Sequence, residues 1–140
     1  MPFSNKRIKR NLRTTIVLKP YFTAMNIETK LVNSITIMKL GETNRLYALN
    51  ANIAKEKMNE FLSQPKSKLI VDFDGISFID SSGFGALLSA LKTSKEHKSF
   101  IKLCNINKDV MELIELMQLD SIFDISHDQT SCVNSFSSVE

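Results

Sequence analysis

Apolar residues occur along this chain in short runs of two kinds, and the alternation between them sets the expected architecture. Residues 27–32 and 35–40 are brief stretches rich in Ile, Val and Thr, residue types that pack well on a pleated surface. The Asn33-Ser34 pair between them predicts a hairpin turn. Ala54, Met58, Phe61 and Leu62 then recur at i, i+4, i+7 and i+8, which is one face of a helix. Asn50 or Asn52 can cap its start, and Pro65, with its fixed φ and no amide donor, ends it. Leu69-Ile70-Val71-Asp72-Phe73 is a near-continuous apolar run, as expected of a strand covered on both faces.

The helical spacing returns at Phe84, Leu87, Leu88 and Leu91, in a second helix that starts at Ser81 or Ser82. Residues 100–104 read as the next strand. Asn107 caps a third helix carrying Val110, Leu113, Ile114 and Met117, and Ile122-Phe123-Asp124-Ile125 is a last short strand. The order β-β-α-β-α-β-α-β predicts an α/β fold, a single domain with a mostly parallel sheet and right-handed crossovers that place helices against it. Its limits are expected at residues 26 and 128. Outside them lie a basic N-terminal extension, residues 1–25, and a Ser-rich C-terminal tail, residues 129–140, which shows no periodicity and reads as loose.

Composition narrows the class of protein. With 140 residues, 43% of them hydrophobic and 24% charged, the chain has material for one core of a soluble domain. No stretch approaches the roughly 20 apolar residues of a membrane span. The formal charge of +3 is unevenly spread: Lys6, Arg7, Lys9, Arg10, Arg13 and Lys19 precede the first acid, Glu28, and the remainder carries about −3. The basic arm has two readings, contact with nucleic acid or an anionic membrane surface, or a solvated disordered tail. The second is the expectation, with no direct DNA binding. The apolar run 14–18, closed by Lys19-Pro20, is too short for a secretory signal, and Met25 is an alternative start. Cys104 and Cys132 form no CxxC pair, and His97 and His127 lie far apart, so neither a metal site nor a disulfide framework is expected. Cys104 reads as a buried thiol, in a composition that fits the reducing cytoplasm.

The motifs of catalysis are missing. Gly83-Phe84-Gly85 lacks the third glycine and the lysine of a phosphate loop, and Ser82 is not in a GxSxG elbow. A Ser-His-Asp triad would need His97, which sits at the far end of the helix that Ser81 begins, about 24 Å away at a rise of about 1.5 Å per residue, or His127. No enzymatic activity and no cofactor are expected. The remaining candidate is the join between the strand 69–73 and the second helix. There Phe78-Ile79 should dip into the core, and Asp80-Ser81-Ser82-Gly83 emerges at the helix start. These are residue types that satisfy orphan helix N–H groups, so the run reads first as an ordinary cap. It is also a good place for a switch. A phosphate of about −1.5 to −2 charge on a serine here is accommodated by the helix dipole, so a docked partner feels it while the fold does not.

The run from Leu69 to Gly85, Leu69-Ile70-Val71-Asp72-Phe73-Asp74-Gly75-Ile76-Ser77-Phe78-Ile79-Asp80-Ser81-Ser82-Gly83-Phe84-Gly85, closely resembles the signature of STAS domains of the anti-sigma-factor antagonist type. Cys104-Asn105-Ile106-Asn107, followed by Val110, Leu113, Ile114 and Leu116-Met117-Gln118-Leu119-Asp120, resembles that family's third helix and closing turn. The resemblance implies a four- or five-stranded sheet with helices packed on one side. It also implies a partner, an anti-sigma factor that is itself a serine kinase, bound by the unphosphorylated domain so that a sigma factor is released. A separate serine phosphatase reverses the modification. The implied phosphoacceptor is Ser81, with Ser82 as second choice, and the implied partner surface comprises Asp80, Ser81, Ser82, Gly83, Phe84 and Tyr47. Tyr47 stands where the family often has Asp, and packing against the helix is its other reading. The alternative role is a constitutive, unphosphorylated STAS subunit of a lipid-transport ATPase complex.

Overall fold

The computed structural model describes residues 14–18 and 24–137. Strands β1 (Thr14–Leu18), β2 (Ala24–Val32) and β3 (Ile35–Lys39) form an antiparallel set, with Thr14 opposite Glu28 and Val32 opposite Ile35. Asn33 and Ser34 both take left-handed φ values, 52° and 68°, as a tight two-residue hairpin requires. The chain continues through β4 (Arg45–Leu46), α1 (Ala51–Leu62), β5 (Lys68–Asp72), β6 (Phe78–Ile79), α2 (Ser81–Glu96), β7 (Phe100–Cys104), α3 (Lys108–Leu116), β8 (Asp124–Ser126) and α4 (Gln129–Ser137). The main sheet has the order β1-β2-β3-β5-β7-β8, and its last four strands are mutually parallel. A separate two-stranded sheet pairs β4 with β6.

Strand alternation divides the interior in two. Leu69 and Val71 of β5 and Ile101 and Leu103 of β7 face the large core beneath α1, α2 and α3. α1 and α2 lie side by side, and Ala51, Ala54, Ala86 and Ala90 are all buried in this core. Because these positions are small, the helices approach closely, and Leu88 is left 39% exposed although its spacing predicts burial. Leu113 and Met117 are likewise exposed on the outer side of α3. The last strand begins two residues later than expected, because Leu119–Ser121 forms a 3-10 turn that sends Phe123 into the core and leaves Ile122 outside.

The other face of the sheet carries a fourth helix, which corrects the reading of residues 129–140 as a loose tail. Cys132 and Phe136, one helical turn apart, are buried against Ile35, Ile37, Ile70 and Cys104. Asp128 starts this helix. Its Oδ1 accepts the Ser131 N–H at 2.8 Å, a bond that holds the carboxyl below the usual carboxylate range. Two polar contacts tie α4 to charges in the strands. Gln129 Nε2 donates to Asp72 Oδ2 at 2.8 Å, and Lys102 Nζ donates to Ser135 Oγ at 2.8 Å while lying 4.3 Å from the Phe136 ring centre. Asp72 Oδ1 is satisfied by Asn105 Nδ2 and the Asp74 N–H. Phe136→Ala is expected to cost about 3 kcal/mol in urea unfolding and to strip amide-exchange protection from α4 before any other element.

The N-terminal boundary also moves. The extension expected over residues 1–25 includes β1, which pairs with β2 because Thr15-Ile16-Val17 offers a β-rich edge to it. Its basic residues Lys6, Arg7, Lys9, Arg10, Arg13 and Lys19 lie outside the described residues. Among the described residues, no helix is long and apolar enough to cross a membrane.

Candidate functional site

The small β4–β6 sheet builds the site. Arg45 lies opposite Phe78 and Leu46 opposite Ile79. Alternation then separates neighbours: Leu46 and Ile79 are buried, whereas Arg45 and Phe78 face outward. Phe78, expected in the core beside Ile79, is 42% exposed for this reason. The pairing runs on into the helix start, where the Asp80 N–H donates to the Leu46 carbonyl at 3.2 Å. The segment around residue 47 and the turn at residue 80 thereby become one surface.

Asp80 is the cap of α2. Its backbone is extended, its Oδ1 accepts the Gly83 N–H at 3.0 Å, and its carbonyl accepts the Phe84 N–H at 3.0 Å. Its second oxygen accepts the Ala48 N–H at 3.2 Å, across 32 residues of chain. One carboxylate therefore closes the helix end and fastens the loop before α1. Asp80→Ala is expected to cost about 2 kcal/mol in denaturant unfolding, the upper end for a lost cap because the tether to Ala48 goes with it.

With Asp80 acting as the cap, the serines are left with no structural task. Ser81 and Ser82 are exposed, and neither hydroxyl is hydrogen-bonded among the described residues. Gly83 and Phe84 differ from the expectation that they meet a partner. Phe84 is 4% exposed because it begins the apolar stripe of α2, and Gly83 is buried against Leu46 and Ile79. Both shape the surface from below. Tyr47 is half-buried with its ring against Arg45, whose guanidinium lies 5.3 Å from the ring centres of both Tyr47 and Phe78.

Asn50 occupies the N-cap position of α1, yet its side chain makes no cap bond. It turns back instead, accepting the Tyr47 N–H at 3.0 Å and donating to the Arg45 carbonyl at 2.9 Å. Buried to 4% exposure, it holds the loop that carries Tyr47, a role that sequence spacing alone does not reveal. Between the starts of α1 and α2 runs an open groove of about 400 Å³, lined by Ala51, Gly85 and Ala86 and by the polar Ser82 and Lys55. His97 lies at the other end of α2, with Nδ1 3.0 Å from the Thr93 carbonyl. Among the described residues, no group of three or more His, Cys, Asp or Glu is placed to hold a metal ion.

The site can thus present two serine hydroxyls on a rigid helix start, flanked by an Arg-aromatic edge. Comparison with known proteins gives this arrangement a family context. The sequence model of the STAS domain matches residues 26–132, ending within α4. The Anti-sigma-B factor antagonist of Bacillus subtilis is 24% identical over 102 residues, which cover 73% of this chain and 93% of that protein. A Thermotoga maritima protein assigned as an anti-sigma factor antagonist has a crystal structure that matches with a TM-score of 0.65 at 25% identity. The match covers 78% of this chain and 92% of that one. The phosphorylated form of the Bacillus cell fate determinant SpoIIAA matches with a TM-score of 0.56 at 14% identity, over 78% of this chain and 98% of that one, a likeness of fold.

Proposed function

The chain belongs to the STAS domain family, and we propose that it is an anti-sigma-factor antagonist of the cytoplasm, switched by phosphorylation of Ser81. In its unmodified form it binds an anti-sigma factor that has serine kinase activity, and a sigma factor is released. The kinase then transfers the γ-phosphoryl group of ATP to Ser81 Oγ. The bond to the β-phosphate oxygen breaks, ADP leaves, and the hydroxyl proton is lost. A serine phosphatase hydrolyses the ester and restores the binding form.

The observation that carries this reading is the division of labour at the turn. Asp80 satisfies the helix end, so the Ser81 hydroxyl is exposed and spare. A phosphate there adds about −1.5 to −2 charge next to the positive end of a 16-residue helix. The helix end stabilises it and the core beneath is untouched. A partner seated over Arg45, Tyr47, Phe78 and the serines meets new charge and bulk at the centre of its contact. The antagonist relatives point to the same class of partner, and a phosphorylated form is known for SpoIIAA. Ser82 is the second choice of acceptor; it lines the groove toward α1.

The test is a pull-down from the native cell with wild type, Ser81→Ala and Ser81→Asp as baits, recording the intact mass of each. A kinase-type anti-sigma factor retained by wild type and Ser81→Ala but lost with Ser81→Asp, with phosphate gained by wild type alone, supports the switch. The same partner on all three baits with no gain in mass would make the protein a constitutive adaptor and Ser81 a bystander.

A further inference from the structure

Two nucleophilic side chains stand apart from the serine turn. Cys104, the last residue of β7, and Cys132, in α4, are free thiols and both are fully buried in the smaller core under α4. Although 28 positions apart in the chain, the two belong to one small buried cluster, because α4 crosses the outer face of the sheet over β7. Cys132 Sγ also lies 3.8 Å from the Leu103 carbonyl, which fixes it over β7. We propose that Cys104 and Cys132 are a redox pair that closes to an intramolecular disulfide when the protein meets a peroxide, fastening α4 covalently to the sheet. The inference is independent of the reading of Ser81.

The two thiols are chemically unequal. The neighbouring Cys132 thiol, then burial and the nearby Asp72 carboxylate, push the Cys104 thiol up. Cys132 is lowered by its Cys104 neighbour, against the opposing effect of burial, and further by Ser126 and the Lys102 ammonium. Lys102 is itself held in place by Ser135 on the same helix. Cys132 rides on the outer helix and Cys104 ends a strand inside the sheet, so Cys132 is assigned as the attacking sulfur and Cys104 as the resolving one.

The chemistry balances with a peroxide as two-electron oxidant. Cys132 thiolate attacks one peroxide oxygen. An S–O bond forms, the O–O bond breaks, and the departing oxygen takes a proton to leave as water or an alcohol. The product is a sulfenic acid. Cys104 sulfur then attacks Cys132 sulfur; the S–S bond forms, the S–O bond breaks, and hydroxide leaves as water with the Cys104 proton. Access comes from the helix itself. α4 is the last element of the described chain and packs over the sheet by one side, so it can lift locally while the main core stays closed.

In the experiment, the full chain is reduced, freed of reductant and exposed to hydrogen peroxide. The expected results are loss of both titratable thiols in denaturant and a Cys104–Cys132 crosslink in a non-reducing peptide map. The thermal midpoint should also rise by about 10 °C, because the bond closes a long loop of chain. Dithiothreitol should reverse all three. Cys104→Ser should stop at a Cys132 sulfenic acid that dimedone traps. Two thiols persisting after treatment would overturn the proposal, as would over-oxidised cysteines without the crosslink or disulfides formed only between chains. Because the decisive map is made on the wild type, a serine variant that folds poorly does not blunt it.

Discussion

Gly83→Ala is expected to lower stability by about 3 kcal/mol, a large effect for one added methyl group. A Cβ at this position would stand 2.6 Å from both the Leu46 carbonyl oxygen and Ile79 Cγ1, and 3.1 Å from Leu46 Cγ. The carbonyl cannot retreat freely, because it accepts the Asp80 N–H. Relief must come from prying α2 away from the β4–β6 sheet, which would also spoil the shared surface of Tyr47 and Ser81. Gly85, two residues on, provides the contrast. Its Cβ would meet nothing within 4 Å, and in a helix interior Gly→Ala gains up to about 1 kcal/mol. Urea unfolding of the two variants should therefore shift in opposite directions. Equal losses would mean that glycine serves flexibility in this helix, and that close approach at Gly83 is not the constraint.

Phosphorylation of Ser81 is expected to leave the thermal midpoint within a few degrees of the unmodified protein while weakening partner binding by about 100-fold. The first half follows from geometry: the hydroxyl takes part in no hydrogen bond among the described residues, and the helix dipole favours a negative group at that end. The second follows from placing an added dianion and its bulk at the centre of an interface that was formed without it, where 100-fold corresponds to about 2.7 kcal/mol. Titration calorimetry and thermal unfolding on the same two preparations check both. A phosphorylated protein that unfolds at much lower temperature would show that the modification acts by damaging the domain.

Most of the architecture was legible from hydrophobic spacing. Phe84 and Leu87 mark the buried side of α2, and the run from Leu69 to Phe73 is a central strand because both its faces are covered. The spacing misled where small residues let helices close up. Leu88 shares the period of Phe84, yet the seam with α1 runs through Ala86 and Ala90. α4 was missed because its composition is Ser-rich and only Cys132 and Phe136 are buried on it; Asp128, three residues before Ser131, was the available signal for its start. β4 and β6, at two residues each, are too short to have any period.

At the site, Asp80-Ser81-Ser82-Gly83 was readable as a helix start, but which residue caps it was not. Asp, Ser and Gly all suit such a position, and only the geometry assigns the bond to Asp80. The reach of Asp80 to Ala48 and of Asn50 to Tyr47 depends on how the β4–β6 pair folds the chain back, information that lies in tertiary packing and not in local sequence. The meeting of Cys104 and Cys132 in one buried cluster belongs to the same class, since strand and helix come together there only because α4 crosses the outer face of the sheet.

The measurement that bears most directly on the switch is phosphopeptide mapping of the full chain after incubation with its anti-sigma partner and ATP. The account predicts a single phosphate on Ser81, absent from Ser81→Ala even though Ser82 remains available. Phosphate on Ser82 in both proteins, or on neither serine, would contradict it.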